Sequence, residues 1–288
     1  MYCLVFEKTP ADLEEAILFL SRGKKQGKLV KALPELFLIQ CITNPVERVN
    51  ENKMLETDNN HIIQMYHVYK QFGKKNVIND VSMNVLKNEF LFISGPSGAG
   101  KSTMLKLLYA GERLSKGQII MDGLNLVRLN SRNIHRLRRR IGIIFQDFKL
   151  IRTRSVFDNV ALVMETRGFP RRMIERKVQE ALRRVAMTSF AHAFPPSLSG
   201  GEQQRVAVAR ALASEPSIIF ADEPTGSLDP DSAAIILALL DEFHQLGGTV
   251  LFATHDISLI ENTRRRVVFL NDGCIHENGQ PPFLSENI

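Results

Sequence analysis

The sequence predicts an α/β protein with a mostly parallel core sheet, an antiparallel β part and an inserted α-helical subdomain. From Ile62 onward, short β-branched or aromatic runs alternate with helical patterns. Such runs are typical of parallel strands, which are apolar throughout because both of their faces are covered. Five runs are predicted to be core strands: EFLFIS, IGIIFQ, SIIFAD, GTVLFAT and RVVFLN.

The segment between IGIIFQ and SIIFAD shows helical periodicity and no convincing strand. It therefore predicts the inserted helical subdomain, over about residues 148–213. The clearest helix within it is RRMIERKVQEALRRV. The helical spacing predicts that one buried face is shared by Met173, Val178, Ala181, Leu182 and Val185.

Residues 1–60 differ in character from the rest of the chain. PADLEEAILFLSRG fits a capped amphipathic helix, and the polar NPVERVNENKMLETDNNH is typical of a linker. We interpret 1–60 as an N-terminal extension of unknown role and 61–288 as the functional domain. Met54 stands just ahead of the first core strand, which leads to the hypothesis that the functional chain starts there.

Composition excludes several classes of protein. The 288 residues are 44% hydrophobic, and the net charge of +6 is spread over short basic clusters without interleaved aromatic residues. No direct nucleic-acid contact is therefore expected. The three cysteines lack metal-ligand spacing, and the longest apolar run, AAIILALL, is far shorter than the roughly 20 residues that span a bilayer. Any membrane connection is expected to come through a partner.

A glycine-rich loop between a strand and a helix predicts a phosphate-binding site. GPSGAGKST matches G-x-x-x-x-G-K-[ST], in which backbone N–H groups and a helix N-terminus surround the phosphates. Lys101 is predicted to reach the β and γ oxygens, Ser102 to ligate Mg²⁺, and Thr103 to contact the α-phosphate. The predicted ATP-binding loop comprises Gly95, Pro96, Ser97, Gly98, Ala99, Gly100, Lys101, Ser102 and Thr103.

Further polar residues follow three apolar strands, at the edge where a parallel sheet presents its ligands. Asp222 and Glu223 follow SIIFA. Asp222 is predicted to hold Mg²⁺ through water, and Glu223 to orient the attacking water. Gln146 at the end of IGIIFQ is predicted to coordinate Mg²⁺ or water. His255 after GTVLFAT is predicted to bond the γ-phosphate or the water's surroundings.

Two aromatic residues ahead of the phosphate loop, Tyr69 and Phe72 in YKQFGKK, are candidates for stacking on adenine. Either residue fits the protein core equally well. The residues themselves leave that choice open.

A second glycine pair opens a helix at SLSGGEQQRVAVARAL. Ser199, Gly200 and Gly201 bring a hydroxyl, backbone N–H groups and a helix N-terminus to one point, which favours an anion. Val206, Ala209 and Leu212 are predicted to fasten that helix to the core.

Taken in order, GPSGAGKST, Gln146, LSGGEQQ, ADEPT, SLDP and His255 resemble the ATP-binding subunit of ATP-binding cassette (ABC) proteins over about residues 62–279. The resemblance implies a homodimeric P-loop ATPase that uses ATP and Mg²⁺. It implies Glu223, His255 and Gln146 as catalytic residues and Phe72 as the adenine-stacking aromatic. It also implies a signature that meets the γ-phosphate held by a second copy, and a dimer loop. The signature residues are Leu198, Ser199, Gly200, Gly201, Glu202 and Gln203, and the dimer-loop residues are Ser227 and Asp229.

Finer matches resemble the FtsE family of bacterial cell-division ATP-binding proteins: IGIIFQDFKLI, SVFDNVAL, ETRG and GGTVLFATHDISLI. This implies an ATPase that acts with the integral membrane protein FtsX to control cell-wall hydrolysis. Its location would be the cytoplasmic side of the inner membrane, at the division site. Ser227 stands where the family commonly has Asn, and Arg152 where it commonly has Pro. Families that release lipoproteins or export macrolides share much of the pattern and remain the alternative.

A soluble cassette ATPase acting on ribosomes or DNA is the competing class of function. Ribosome-associated members usually carry two cassettes, whereas this chain has one. DNA-repair members insert a long coiled coil between the phosphate loop and the acidic pair, and too few residues separate Lys101 from Asp222 for that. The membrane-coupled class is therefore favoured.

Overall fold

The computed structural model describes residues 60–130, 133–226, 228–261 and 264–276. The predictions for 1–59 and for Ser227 therefore fall outside the described residues. The ten strands of the described ranges are β1 His61–Phe72, β2 Lys75–Leu86, β3 Phe90–Ser94, β4 Lys116–Met121, β5 Leu124–Asn125, β6 Ile141–Ile144, β7 Ile218–Asp222, β8 Thr249–Thr254, β9 Val267–Asn271 and β10 Cys274–His276. The α-helices of the described ranges are α1 Lys101–Leu108, α2 Ile134–Arg138, α3 Val156–Glu165, α4 Arg171–Arg184, α5 Gly200–Leu212, α6 Pro230–Gln245 and α7 Ser258–Glu261.

The predicted core sheet is confirmed: all five apolar runs form strands of one six-stranded sheet, ordered β10-β9-β3-β8-β7-β6. The strands pair in parallel except for the last hairpin, β9 with β10. Because parallel strands end at the same edge, β3, β8, β7 and β6 present their carboxyl ends side by side. The sheet order thus brings together four loops that the sequence separates.

Alternate residues of the core strands face two different hydrophobic cores, as the two-residue period of a strand requires. Phe92 and Phe252 lie on the face covered by α3, α4, α5 and α6. Leu91 and Leu251 lie on the opposite face, against α1 and the antiparallel sheet. Both faces of the sheet are buried against apolar side chains, which explains why polar and apolar residues do not alternate along these strands.

The antiparallel part is a separate four-stranded sheet, ordered β2-β1-β4-β5. Strands β1 and β2 are long and irregular, with shifts in register near His67 and Lys70. Strand β1 ends at Phe72. The neighbouring strand β2 contacts the phosphate loop, because Val77 lies against Gly100. Phe72 therefore lies on the same side of this domain as the phosphate loop.

The helical insert between β6 and β7 consists of α3, α4, α5 and two short 3₁₀ turns, and residues 145–217 contain no strand. One detail of the predicted α4 face was wrong. Ile174 is buried, whereas Met173 is 36% exposed, and Val178, Ala181 and Leu182 are buried as predicted. Ile174 fits because it lies four residues before Val178, on the same side of the helix, whereas Met173 lies five residues before it. No helix in the described ranges is both long and apolar enough to cross a membrane.

A buried amide shapes the loop between β6 and the insert. The Asn159 side chain is fully buried in α3. Its Oδ1 accepts from the Ile151 N–H at 2.7 Å, and its Nδ2 donates to the carbonyls of Ile151, Arg154 and Ser155 at 2.9–3.1 Å. One side chain therefore satisfies the backbone of a turn that has no ladder of its own.

We expect Asn159→Ala to lower the free energy of unfolding by about 2–4 kcal/mol, because it removes all the hydrogen bonds that this fully buried side chain makes to the backbone of Ile151, Arg154 and Ser155. Urea denaturation measures this change. Asn84→Ala, on an exposed position of β2, is the control and should change stability by less than about 0.5 kcal/mol. Equal midpoints for the two variants would contradict the role of Asn159.

Candidate nucleotide-binding and catalytic site

The loop after β3 has the backbone geometry of a phosphate cradle. Gly95, Gly98 and Gly100 have φ of +148°, +81° and +108°. At Gly95 a side chain is excluded outright, because a Cβ atom would lie 2.0 Å from the Leu270 carbonyl oxygen of β9. The loop leads straight into α1, whose N-terminus begins at Lys101.

Lys101 is 4% exposed, and its ammonium is held inside the loop. Its Nζ donates to the carbonyl oxygens of Gly95 at 2.8 Å and Pro96 at 3.1 Å. The same Nζ lies 3.4 Å from Oε1 of Glu223. The sheet therefore brings the predicted phosphate lysine and the predicted catalytic carboxylate into contact.

Ser102 and Asp222 meet although 120 positions separate them in the chain. The Ser102 hydroxyl donates to Asp222 Oδ1 at 2.9 Å. Burial raises the pKa of Asp222 from its ordinary value, and the hydrogen bond from Ser102 acts in the opposite direction. A hydroxyl and a carboxylate are the hard oxygen ligands that suit Mg²⁺. The residues described include no cluster of three His, Cys, Asp or Glu for a metal.

Glu223 sits between two basic side chains. Its Oε1 faces Lys101, and its Oε2 lies 3.1 Å from Nδ1 of His255. The backbone of Glu223 has φ +47°, a left-handed conformation that costs a residue with a side chain about 1–3 kcal/mol. The Glu223 N–H donates to the Ala253 carbonyl at 2.9 Å, which ties the strained residue to β8.

Gln146 departs from its predicted position. Strand β6 ends at Ile144, so Gln146 lies in the following turn, two residues past the strand, and its side chain is exposed. The apolar run predicted a longer strand because Phe145 is also apolar, but the hydrogen-bonded pairing of β6 with β7 does not continue to Phe145. Of the other loop residues, Pro96, Ser97 and Gly98 are exposed, Ala99 is buried, and Thr103 is half-buried in the first turn of α1.

Phe72 ends β1 and is 45% exposed, as an aromatic that receives a base needs to be. The Lys70 Nζ lies 4.3 Å from the centroid of its ring. Lys70 is itself anchored to Glu112 Oε2 at 3.0 Å and to the Arg113 carbonyl at 2.8 Å. Tyr69, the alternative aromatic, is half-buried, and Lys116 Nζ lies 5.4 Å from its ring.

The signature residues form the start of α5. Ser199 is the N-cap, and a capping box joins it to Glu202: the Ser199 Oγ accepts from the Glu202 N–H at 3.3 Å, and Glu202 Oε2 accepts from the Ser199 N–H at 2.8 Å. These bonds lower the pKa of Glu202. Leu198 is buried, and its carbonyl accepts from Gln203 Nε2 at 3.1 Å.

Gly201 packs against the start of α6, because a Cβ atom there would lie 2.6 Å from Ser232 Oγ. Asp229 is exposed and is the N-cap of α6, where its Oδ1 accepts from the Ser232 N–H at 2.9 Å. That bond lowers the pKa of Asp229. The predicted signature and the predicted dimer loop are therefore neighbours within one chain.

The sequence placed Gln204 in the LSGGEQQ motif but predicted neither its contact with a site loop nor that of Arg210, also on α5. Gln204 is 1% exposed and donates from Nε2 to the Pro224 carbonyl at 2.9 Å, directly after Glu223. Arg210 donates to the carbonyls of Phe148 and Lys149 at 2.7 and 2.6 Å, just after Gln146. One signal in the sequence could have indicated these two contacts. The apolar periodicity of the helix predicts certain positions to be buried, and a polar residue at such a position needs a hydrogen-bond partner.

Comparison with known proteins places these features in a family. Residues 78–226 match the model of the ABC transporter family. The chain is 44% identical over 216 residues to the cell division ATP-binding protein FtsE of Escherichia coli K12, which covers 75% of this chain and 97% of the relative. It is 42% identical over 215 residues to FtsE of Streptococcus pneumoniae D39, with 74% and 94% covered, and 41% identical over 216 residues to FtsE of Bacillus subtilis 168, with 74% and 94% covered.

Solved structures agree with this assignment. A dimeric post-hydrolysis state of the ATP-binding cassette MJ0796 bound to ADP and Pi matches with a TM-score of 0.71 and 33% identity, over 76% of this chain and 98% of that one. The cassette cbiO1 of Clostridium perfringens matches with a TM-score of 0.69 and 29% identity, over 79% and 92%. The predicted fold class is thereby confirmed, and the chain belongs to the FtsE family of ABC-type ATPases.

Proposed function

We propose that this ATPase works in bacterial cell division as a homodimer that couples ATP turnover to an integral membrane partner resembling FtsX, thereby controlling cell-wall hydrolysis. The observation that carries the proposal is the contact chain Lys101–Glu223–His255, found in a chain 41–44% identical to several cell-division ATP-binding proteins. The contact chain supports ATP hydrolysis, and the relatives support the cellular setting.

The roles of the residues follow from where their polar atoms lie. The loop from Gly95 to Thr103 would surround the phosphates, with oxygens of the β and γ phosphates replacing the Gly95 and Pro96 carbonyls as partners of Lys101. Phe72 would stack on adenine. Glu223, released from Lys101, would accept a hydrogen bond from the attacking water, and His255 would hold the second carboxylate oxygen in place.

Ser102 and Asp222 would hold Mg²⁺, Asp222 through a water molecule, with Gln146 as a further oxygen ligand brought in from its turn. The ion would supply charge neutralisation at the phosphates when bound. The Ser102–Asp222 contact keeps both oxygens at one point, so little reorganisation is required of them.

The second half of each site would come from another copy of the chain. In the capping box the Ser199 oxygen accepts a bond from its own helix, so its hydroxyl proton is available for a phosphate oxygen. Leu198 to Gln203 would thus face the γ-phosphate bound by the partner, with Ser227 and Asp229 in the crossing loop. Two such sites in one symmetric dimer would make ATP the link between the copies.

The partner and the location are proposed from the FtsE relatives. By analogy with FtsE, the chain would act at the cytoplasmic face of the inner membrane, at the division site. The alternative is the ATPase subunit of a lipoprotein-release or macrolide-export transporter, because those families share the motifs.

Replacing Glu223 by Gln should lower kcat by about 10²–10⁴-fold, because the amide cannot accept the proton of the attacking water. ATP should still bind, and an ATP-bound dimer should accumulate, as size-exclusion chromatography would detect. Glu180→Gln, on an exposed position of α4, should behave as the wild type. Hydrolysis by the Glu223→Gln protein at more than about a tenth of the wild-type rate would exclude Glu223 as the base.

The signature can be tested against a helix cap of the same geometry. Ser199 (φ −62°, ψ 163°) and Ser155 (φ −62°, ψ 165°) both cap helices of the insert by accepting the N–H three residues on. Each Ser→Ala change should cost about 1 kcal/mol of stability. In the Glu223→Gln background, only Ser199→Ala should abolish the ATP-dependent dimer. If both variants dimerise alike, the Ser199 hydroxyl does not bind the partner's nucleotide.

The partner can be identified by purifying the tagged native protein from detergent-solubilised membranes. We expect to recover a protein with about four membrane spans and a large extracytoplasmic loop, at a one-to-one ratio with the ATPase. The Lys101→Ala variant should bind ATP at least about tenfold more weakly and shows whether recovery depends on nucleotide. Recovery of a lipoprotein-release or export permease instead would favour the alternative function.

A further inference from the structure

Helix α5 contacts three loops that carry site residues. Its N-cap, Ser199, belongs to the signature, and Gln204 in its second turn binds the carbonyl that follows Glu223. Arg210, in its last turn, binds the carbonyls of Phe148 and Lys149. One rigid element thus spans from the signature to the loop of Gln146.

The segment that Arg210 holds is strained. Phe148 and Lys149 are consecutive residues with φ of +59° and +51°, a conformation that residues with side chains adopt only when their surroundings impose it. They follow Gln146 by two and three positions. The orientation of Gln146 therefore depends on whatever keeps this turn in place.

Arg210 is suited to impose the turn. A guanidinium offers a planar fork of N–H donors that can bind two neighbouring oxygens at once, and here it binds two successive carbonyls. Burial lowers the pKa of Arg210, and no carboxylate of the described residues lies within ion-pair distance of it. The protein groups that bind the charge are therefore the two carbonyls, which makes the contact specific to this backbone arrangement.

We propose that Arg210 is a positioning residue that locks the Gln146 loop in its strained turn and thereby ties the orientation of Gln146 to the position of helix α5. The inference rests on the proposed function for its consequence. If α5 moves when Ser199 binds the nucleotide of the partner copy, the Gln146 loop moves together with the last turn of α5. The signature of one copy would then be linked to the Gln146 loop of the same copy by a single side chain.

Two substitutions test the lock in the full chain. Arg210→Met removes both bonds, and Arg210→Lys keeps the charge but replaces the fork by one ammonium. We expect kcat to fall about tenfold or more in both while KM for ATP stays within about twofold, since the phosphate loop is untouched. Arg183→Met, on an exposed position of α4, should change neither value. Wild-type kcat in both Arg210 variants would overturn the inference.

A double-mutant cycle separates positioning from general loss of structure. If Arg210 acts through the loop, Arg210→Met should lower kcat no further in a Gln146→Ala background. Losses that multiply would show a separate, structural effect and refute the lock. Hydrogen exchange should also be faster at the amides of 146–150 in Arg210→Lys, with the amides of 95–103 unchanged. Unchanged exchange at 146–150 would equally refute it.

Should Arg210→Met not fold, the exchange measurement on Arg210→Lys decides alone. A failure of the proposed function would give a different result from a failure of this inference. Absence of an ATP-bound dimer in the Glu223→Gln chain would remove the link between copies, whereas faster exchange at 146–150 in Arg210→Lys would still support the lock.

Discussion

The buried ammonium of Lys101 is the interaction on which the rest of the site depends. A cation at 4% exposure is tolerated only because the carbonyls of Gly95 and Pro96 and the carboxylate of Glu223 surround it. Those three groups directly follow two strands, β3 and β7, and β8 lies between these strands in the sheet. The parallel order of the sheet is thus a condition for the charge balance of the site, and the charge balance holds Glu223 beside the phosphate loop.

Three residues in left-handed backbone conformations lie at the same edge of the sheet. Glu223, Phe148 and Lys149 all have left-handed backbones, and each is held by bonds from another element. Such conformations persist where the surrounding structure imposes them, and they accompany functional loops more often than chance would place them there. These three residues lie in the two loops that flank the proposed Mg²⁺ site.

Helix α5 connects these loops. Its apolar residues Val206 and Ala209 are fully buried in the core that the insert shares with one face of the six-stranded sheet. Its polar side chains meanwhile bind backbone carbonyls outside it. The insert is therefore attached to the catalytic edge both by apolar packing and by a few directed hydrogen bonds.

Much of this protein was readable from its sequence because the informative patterns are local. The five core strands, the phosphate loop and the start of α5 follow from short runs of residues whose periodicity or glycine content admits one local structure. The contact of Lys101 with Glu223 could be expected, since parallel strands end together.

Three features could not be predicted from the sequence. Ile174 rather than Met173 faces the core, because the exact phase of a helix is set by what it packs against. Gln146 lies past the end of β6, because the pairing with β7 stops at Ile144. The bonds of Gln204 and Arg210 exist because the sheet order and the packing of α5 carry distant carbonyls to them. Local chemistry determined which groups the chain has to offer. The tertiary structure decided which of them meet, because those meetings depend on the packing of elements far apart in the chain.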